Sequence, residues 1–203
     1  MVMAEISAAK VKELREQTGA GFMDCKRALE ESGGDVERAV TILRERGLAA
    51  AAKKSGREAR EGLIDSYIHT GGRVGVLIEV NCETDFVART QQYQQLVHSL
   101  AVQVAATFPR WVDVADIPAD VLAAKRDELL DAADVRSKPE DVRERIVEGR
   151  LRKWYAEPGG VLLEQPYRDT EQTIRDLITQ AVATIGENII VRRFARYALG
   201  EDL

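Results

Sequence analysis

Two histidines, His69 and His98, and two cysteines, Cys25 and Cys82, are the residues best suited to nucleophilic, acid–base or metal chemistry. His69 falls at the end of a hairpin pattern and His98 on a helical one. Neither has a nucleophile or a metal-ligand spacing beside it, so each is expected to be structural or at the surface. The cysteines are far apart and form no CxxC. Neither a zinc site nor a disulfide framework is indicated, and both thiols are expected to be reduced and partly buried. Acidic pairs are frequent, but at helical spacing on polar faces, the pattern of a solvated surface. The sequence contains no GxSxG, HExxH or GxxxxGK[ST]. The "GAG" at 19–21 lacks the third glycine and the preceding strand of a dinucleotide fold. No set of acid, base and nucleophile assembles, so no enzyme, cofactor or resident metal is expected.

Binding is a different matter. "NCETDF", residues 81–86, follows a strongly apolar strand pattern and ends in a phenylalanine. "TDF" can form a short helical tip with Thr84 or Asp85 as its cap. A phenylalanine beside an apolar helix usually folds back into the core. The alternative is an aromatic displayed by a rigid turn and inserted into a partner's pocket, with Thr84 and Asp85 bonding around the rim. The residues alone leave both open.

The surrounding pattern says what must position this stretch. Residues 7–17 read as a helix capped by Ser7, with Ala8, Val11 and Leu14 on one face, stopped by "TGAG" at 18–21. A second helix carries Phe22, Cys25, Ala28 and Leu29. A third, capped by Asp35, carries Val36, Ala39, Val40 and Leu43 and is expected to close at Gly47. The alanine-rich, basic stretch 48–60 reads as a helical or semi-rigid linker. From residue 61 the period changes to two. "GLIDSYIH" and "RVGVLIEVNC" flank "TGG", a hairpin signal, and Val74, Val76, Ile78, Val80 and Cys82 share one face. A long helix follows with Tyr93, Leu96, Val97, Leu100, Ala101 and Val104 in one stripe, ended by "FPRW". Helices over 119–134 and 139–156, joined by "VRSKP", predict a projecting hairpin. Its thin seam sets Leu122, Leu129 and Ala133 against Val142, Ile146 and Trp154. A helix from Thr170 to about Ile185 and a strand over "NIIVRRFARYAL" finish the chain.

The fold class expected is α+β: an N-terminal three-helix bundle (1–47), a basic helical linker (48–60), and an α+β core (61–203) with an antiparallel sheet and the 119–156 hairpin. The chain has 203 residues, 45% apolar and 31% charged, with a net charge of −5. Residues 1–60 carry 12 basic and 10 acidic side chains, a net of +2; the remainder carries 17 and 24, a net of −7. That balance disfavours a broad nucleic-acid surface. The four cations Lys53, Lys54, Arg57 and Arg60 read as a solvated linker for want of interleaved aromatics. No signal-peptide pattern opens the sequence and no apolar run spans a membrane, so a cytoplasmic protein without membrane contact is expected.

Three long motifs in order carry a resemblance. "VKELREQTGAGFMDCKRALEESGGDVERAV", "GGRVGVLIEVNCETDFVAR" and "SKPEDVRERIVEGRLRKWYAE" followed by "LLEQPY" closely resemble the bacterial elongation factor Ts family, nucleotide-exchange factors for elongation factor Tu. The resemblance implies a ubiquitin-associated-like N-terminal module and a coiled-coil hairpin. It implies that Asp85 and Phe86 enter between two helices of the partner's G domain near its magnesium site, with Thr84 and Val87 supporting that tip. Arg15, Met23 and Lys26, presented by the turn of Thr18, Gly19 and Gly21, are implied to meet the same G domain on its phosphate-binding side. The partner implied is elongation factor Tu, GDP-bound and nucleotide-free.

Several departures stand out. The stretch before the hairpin is only "PRWVDVADIP", shorter than in the family's long form, so sheet edges are left to pair and a homodimer through the C-terminal strands is expected. Phe22 stands where the family often has Met. "EPGG" at 157–160 is looser than the family pattern and is expected to be mobile. Met1-Val2 precedes the usual "MAEI" opening and reads as a start-site feature. A competing reading is a ubiquitin-associated-like binding module attached to a ribosome- or RNA-contacting core. An enzyme built from distant segments would need a deep pocket with perturbed titrating groups.

Overall fold

The computed structural model describes residues 6–201; the Met1-Val2 pair lies outside the described residues. The chain divides into two compact units. One comprises Met1–Leu63, Val80–Leu96 and Asp176–Ile190, the other Ile64–Glu79, Val97–Arg175 and Val191–Leu203.

The first unit begins with three helices whose ends follow from single residues. Helix α1 (Ala8–Thr18) starts where Ser7 Oγ accepts the Lys10 N–H at 3.3 Å. It stops at Gly19, whose φ of 66° is a left-handed cap that a Cβ would strain. Helix α2 (Phe22–Glu31) follows at once. Helix α3 (Val36–Lys54) is capped by the Asp35 carboxylate on the Arg38 N–H. Val11, Leu14, Cys25, Ala28, Leu29 and Ala39 form their core, with Val36, Val40 and Leu43 packed against it. The expected stop at Gly47 is overturned: α3 runs through it to Lys54. Glycine costs a helix interior only about 1 kcal/mol, and the following Leu-Ala-Ala-Ala-Ala run restores it.

The sheet comprises β1 (Glu61–Ile68), β2 (Val74–Cys82) and β3 (Ile190–Ala198) in the order β1-β2-β3. The His69 N–H bonds the Val74 carbonyl, closing the hairpin. Arg193 pairs with Glu79 and the Leu199 N–H bonds the Arg73 carbonyl, so β3 runs antiparallel to β2. The fold is α+β. The inner face of β2 is apolar as expected, with Val76, Ile78, Val80 and Cys82 buried and Val74 half-buried. In β3 the buried parity changes: Val191 is buried, then Phe194, Arg196 and Ala198 are half-buried. Helix α4 (Asp85–Ala88) is a single turn. Helix α5 (Gln91–Thr107) buries Tyr93, Leu96, Val97, Leu100, Ala101 and Val104, the stripe read from the sequence.

The second unit contains the hairpin. Its first arm is broken: α6 (Ala119–Asp131) ends at Ala132, which is extended (φ −56°, ψ 133°), and a short α7 (Ala133–Arg136) resumes. The seam consequently differs from expectation. Ala133 is exposed, and Val135 is buried with Val147 and Leu151 of α8 (Glu140–Ala156). The break exchanges a small side chain for a larger apolar one in the seam. Leu122, Leu129, Ile146 and Trp154 do pack against it. The "EPGG" loop is closed by main-chain bonds, from Gly159 N–H to Thr107 and from Gly160 N–H to Glu157, 2.8 and 2.9 Å long. Helix α9 (Ile174–Ile185) starts four residues later than expected, because Tyr167–Thr173 are held in a turn by the Tyr167 N–H on Gln172 and the Thr170 N–H on Tyr167.

Candidate functional site

The tip at residues 81–86 is built from beneath. Thr84 is the N-cap of α4, its Oγ1 accepting the Val87 N–H at 3.4 Å. Below it, Cys82 Sγ donates to the Thr84 carbonyl at 3.1 Å. Burial pushes the Cys82 thiol up, and it pushes the Tyr93 phenol, which donates to the Val80 carbonyl at 2.7 Å, far up. Both are therefore neutral hydrogen-bonding groups at physiological pH. Beside the turn stands a carboxylate that no sequence pattern announces. Glu187 Oε2 accepts the N–H groups of Glu83 and Thr84 at 3.1 and 3.0 Å, and its Oε1 accepts Thr84 Oγ1 at 2.6 Å. The signal is missing because the partners lie 103 residues apart.

On this support Phe86 is 79% exposed. It does not fold back into the core. Asp85 is next to it on the turn and pairs with Arg89 at 2.8 Å, an exposed contact of small energetic weight. Val87 is half-buried and Ala88 buried, so the turn's inner side faces the protein while its phenylalanine faces solvent.

The second set of expected residues lies at the α1–α2 corner. Arg15 is exposed in the last turn of α1, and its carbonyl accepts the Gly19 N–H at 2.8 Å. Thr18 Oγ1 donates to the Leu14 carbonyl at 2.7 Å. Gly21 is the N-cap of α2; a Cβ there would meet the Asp24 side chain at 2.9 Å. Met23 is 59% exposed, Phe22 is also exposed, and Lys26 is exposed in a loose pair with Glu30. The corner and the tip belong to the same compact unit. Each is held by its own local network.

The groups first considered for covalent chemistry have other partners. The His98 imidazole meets Asp65 at 3.1 Å and His69 meets the Tyr67 hydroxyl at 2.9 Å. Cys25 and Cys82 are free thiols, both buried. No group of three or more His, Cys, Asp or Glu that could hold a metal occurs among the described residues. No helix among them is long and apolar enough to cross a membrane.

Known proteins match this chain almost end to end. The family model described as Elongation factor TS matches residues 4–180. The proteins named Elongation factor Ts from Thermoanaerobacter sp. (strain X514) and Caldanaerobacter subterraneus subsp. tengcongensis are each 55% identical over 199 residues, 98% of this chain and 97% and 98% of theirs. That of Coprothermobacter proteolyticus is 54% identical over 198 residues, 97% of this chain and 100% of its own. With a family model over most of its length and relatives at more than half identity, the chain belongs to the elongation factor Ts family: it is a translation elongation factor and not an enzyme.

Proposed function

We propose that this chain binds elongation factor Tu in the cytoplasm, in its GDP-bound and nucleotide-free states, and promotes GDP release so that GTP can rebind. One observation carries the reading: an aromatic side chain 79% exposed on a turn whose backbone is fixed by Glu187. Phe86 enters between two helices of the partner's G domain near its Mg²⁺ site, and Asp85 exchanges Arg89 for a group of the partner. Thr84 and Val87 hold the turn. Arg15, Met23 and Lys26, set by Thr18, Gly19 and Gly21, press on the phosphate-binding side of the same domain.

The mechanism is linkage. The wedge favours a G-domain conformation with poor metal and phosphate geometry, so it weakens nucleotide binding, and nucleotide weakens the wedge by the same factor. No bond is cleaved. Burying Phe86 supplies roughly 1.5–3 kcal/mol, so the N-terminal module and the core must contribute the rest. The same reading takes the three-helix module as ubiquitin-associated-like and the hairpin as a coiled coil. It divides the chain into module (1–47), linker (48–60) and core (61–203). It also takes two copies to associate through the C-terminal core strands, where β3 is a sheet edge and Tyr197 is exposed.

The test is release of a fluorescent GDP analogue from elongation factor Tu. The natural chain is expected to accelerate it. Phe86→Ala should lose about 10- to 150-fold of that effect, the factor that 1.5–3 kcal/mol represents, while circular dichroism stays unchanged. Asp85→Ala should lose less. A natural chain that leaves release at its spontaneous rate sinks the reading, and salt-sensitive RNA retention on a filter would then favour the RNA-contacting alternative.

A further inference from the structure

We propose that Glu187 and Asn188, at the corner between α9 and β3, are positioning residues for nucleotide exchange. They hold the Asp85–Phe86 turn in its working pose and register it against the end of α3. The role rests on the exchange function proposed above.

The corner grips in both directions. Toward the turn, the Glu187 carboxylate takes three donors: Glu83 N–H, Thr84 N–H and Thr84 Oγ1–H. Thr84 Oγ1 is the same atom that caps α4, so the carboxylate also sets the orientation of the cap. In return Glu83 Oε1 accepts the Asn188 N–H at 2.6 Å. Toward α3, the buried Asn188 side chain donates Nδ2–H to the Arg57 carbonyl at 2.8 Å and to that of Ser55 at 3.4 Å. Arg57 Nη1 in turn reaches Glu83 Oε2 at 3.5 Å, and Lys54 Nζ donates to the Val182 carbonyl of α9 at 3.2 Å. Turn, corner and helix end thus form one closed network. Helix α3 packs in the module that carries Arg15, Met23 and Lys26.

A role confined to stability accounts poorly for this arrangement. Phe86 is exposed and contributes little to the fold, and a half-exposed turn could leave its N–H groups to water. Instead charge-assisted bonds fix them. A displayed side chain gains affinity when its pose is set before binding, because no ordering cost falls due on association.

Double-mutant cycles separate positioning from mere stability. The variants are Glu187→Ala, Glu187→Gln, Asn188→Ala, Phe86→Ala and the pair Glu187→Ala with Phe86→Ala. The readouts are stimulated release of the fluorescent GDP analogue and amide hydrogen exchange at Glu83 and Thr84. Glu187→Ala is expected to lose about tenfold in stimulated rate and to lose protection at those two amides. Glu187→Gln, which keeps an oxygen for the main-chain donors, should recover most of both. In the Phe86→Ala background Glu187→Ala should cost at most about twofold further, the share that falls to Asp85, since it acts mainly through the Phe86 side chain. If Glu187→Ala prevents folding, Asn188→Ala, alone and combined with Phe86→Ala, carries the cycle with the same expectations, since Asn188 N–H holds Glu83 beside the turn. A Glu187→Ala protein as active as the natural chain overturns the proposal, and so do losses that multiply in the double variant. An inert natural chain is a different result: it overturns the exchange reading and this role with it.

Discussion

A methyl group added at Gly62 would sit 2.2 Å from the Val80 carbonyl oxygen and 2.8 Å from the Asn81 Cα. Both obstacles are backbone, so neither can swing aside, and the φ of 144° already favours glycine. Gly62→Ala is therefore expected to destabilise the protein by about 3 kcal/mol or more, read as a lower urea midpoint. Phe86→Ala should change stability by no more than about 0.5 kcal/mol, because an exposed side chain contributes little to folding. Cys82→Ala lies between these. It removes a buried sulfur and its bond to Thr84, so a modest drop in exchange is expected. Complete loss of exchange in a folded Cys82→Ala protein would show that the thiol does more than pack. At this scale the sequence was informative where partners are local. Ser7, Gly19 and Asp35 announce their caps, and Thr84 is one of the two residues offered for α4, because each meets a group within four residues. The display of Phe86 was left open, because its burial depends on whether the turn is fixed, and the residue that fixes it is Glu187.

Among the elements, periodicity was reliable and punctuation was not. The stripe on α5 and the apolar face of β2 follow from period alone. Gly47 and Ala132 show the converse. A glycine was read as a stop where the helix continues, and an alanine, the best helix former, sits at a real break. At Gly47 the high propensity of the following Leu-Ala-Ala-Ala-Ala run carries the helix on, and at Ala132 the burial of Val135 outweighs propensity. Gly47 lacks a positive φ, and an added Cβ would meet the Ala183 Cβ at an ordinary 3.7 Å. Gly47→Ala should thus raise stability by about 0.5–1 kcal/mol, with a higher melting temperature as the check; a lower one would show that the position is strained. The hairpin predicts the opposite sign. Val135, Val147 and Leu151 are the fully buried members of its cluster. Leu151→Ala should cost about 2–4 kcal/mol there and show as faster proteolysis between residues 119 and 156.

For the whole molecule, the two raised acids give a pH dependence with a definite sign. Cys82 and Tyr93 are neutral when folded, with values raised above those of the unfolded chain, first of all by burial. The stability they confer is present in full below about pH 8.5 and is lost as the pH climbs through about 9–11, where the unfolded chain ionises and the folded one does not. Thermal melts at rising pH should show this alkaline loss, and Tyr93→Phe should flatten its upper part. Association is tested at the same scale. The natural chain is expected to sediment at twice the chain mass, and Tyr197→Asp, at an exposed position of the edge strand β3, to sediment as a folded monomer. Unit composition was the least legible property of the sequence, because Met1–Leu63, Val80–Leu96 and Asp176–Ile190 close into one body across intervals that no periodicity spans. That discontinuity sets an order of events during synthesis. The three helices are complete once Lys54 has left the ribosome. The turn bearing Phe86 is translated next, yet its clamp arrives only with Glu187, 103 residues after Thr84. A nascent chain of 150 residues would carry Phe86 on a turn without its clamp, so the fixed pose of that side chain waits for Glu187 to be made.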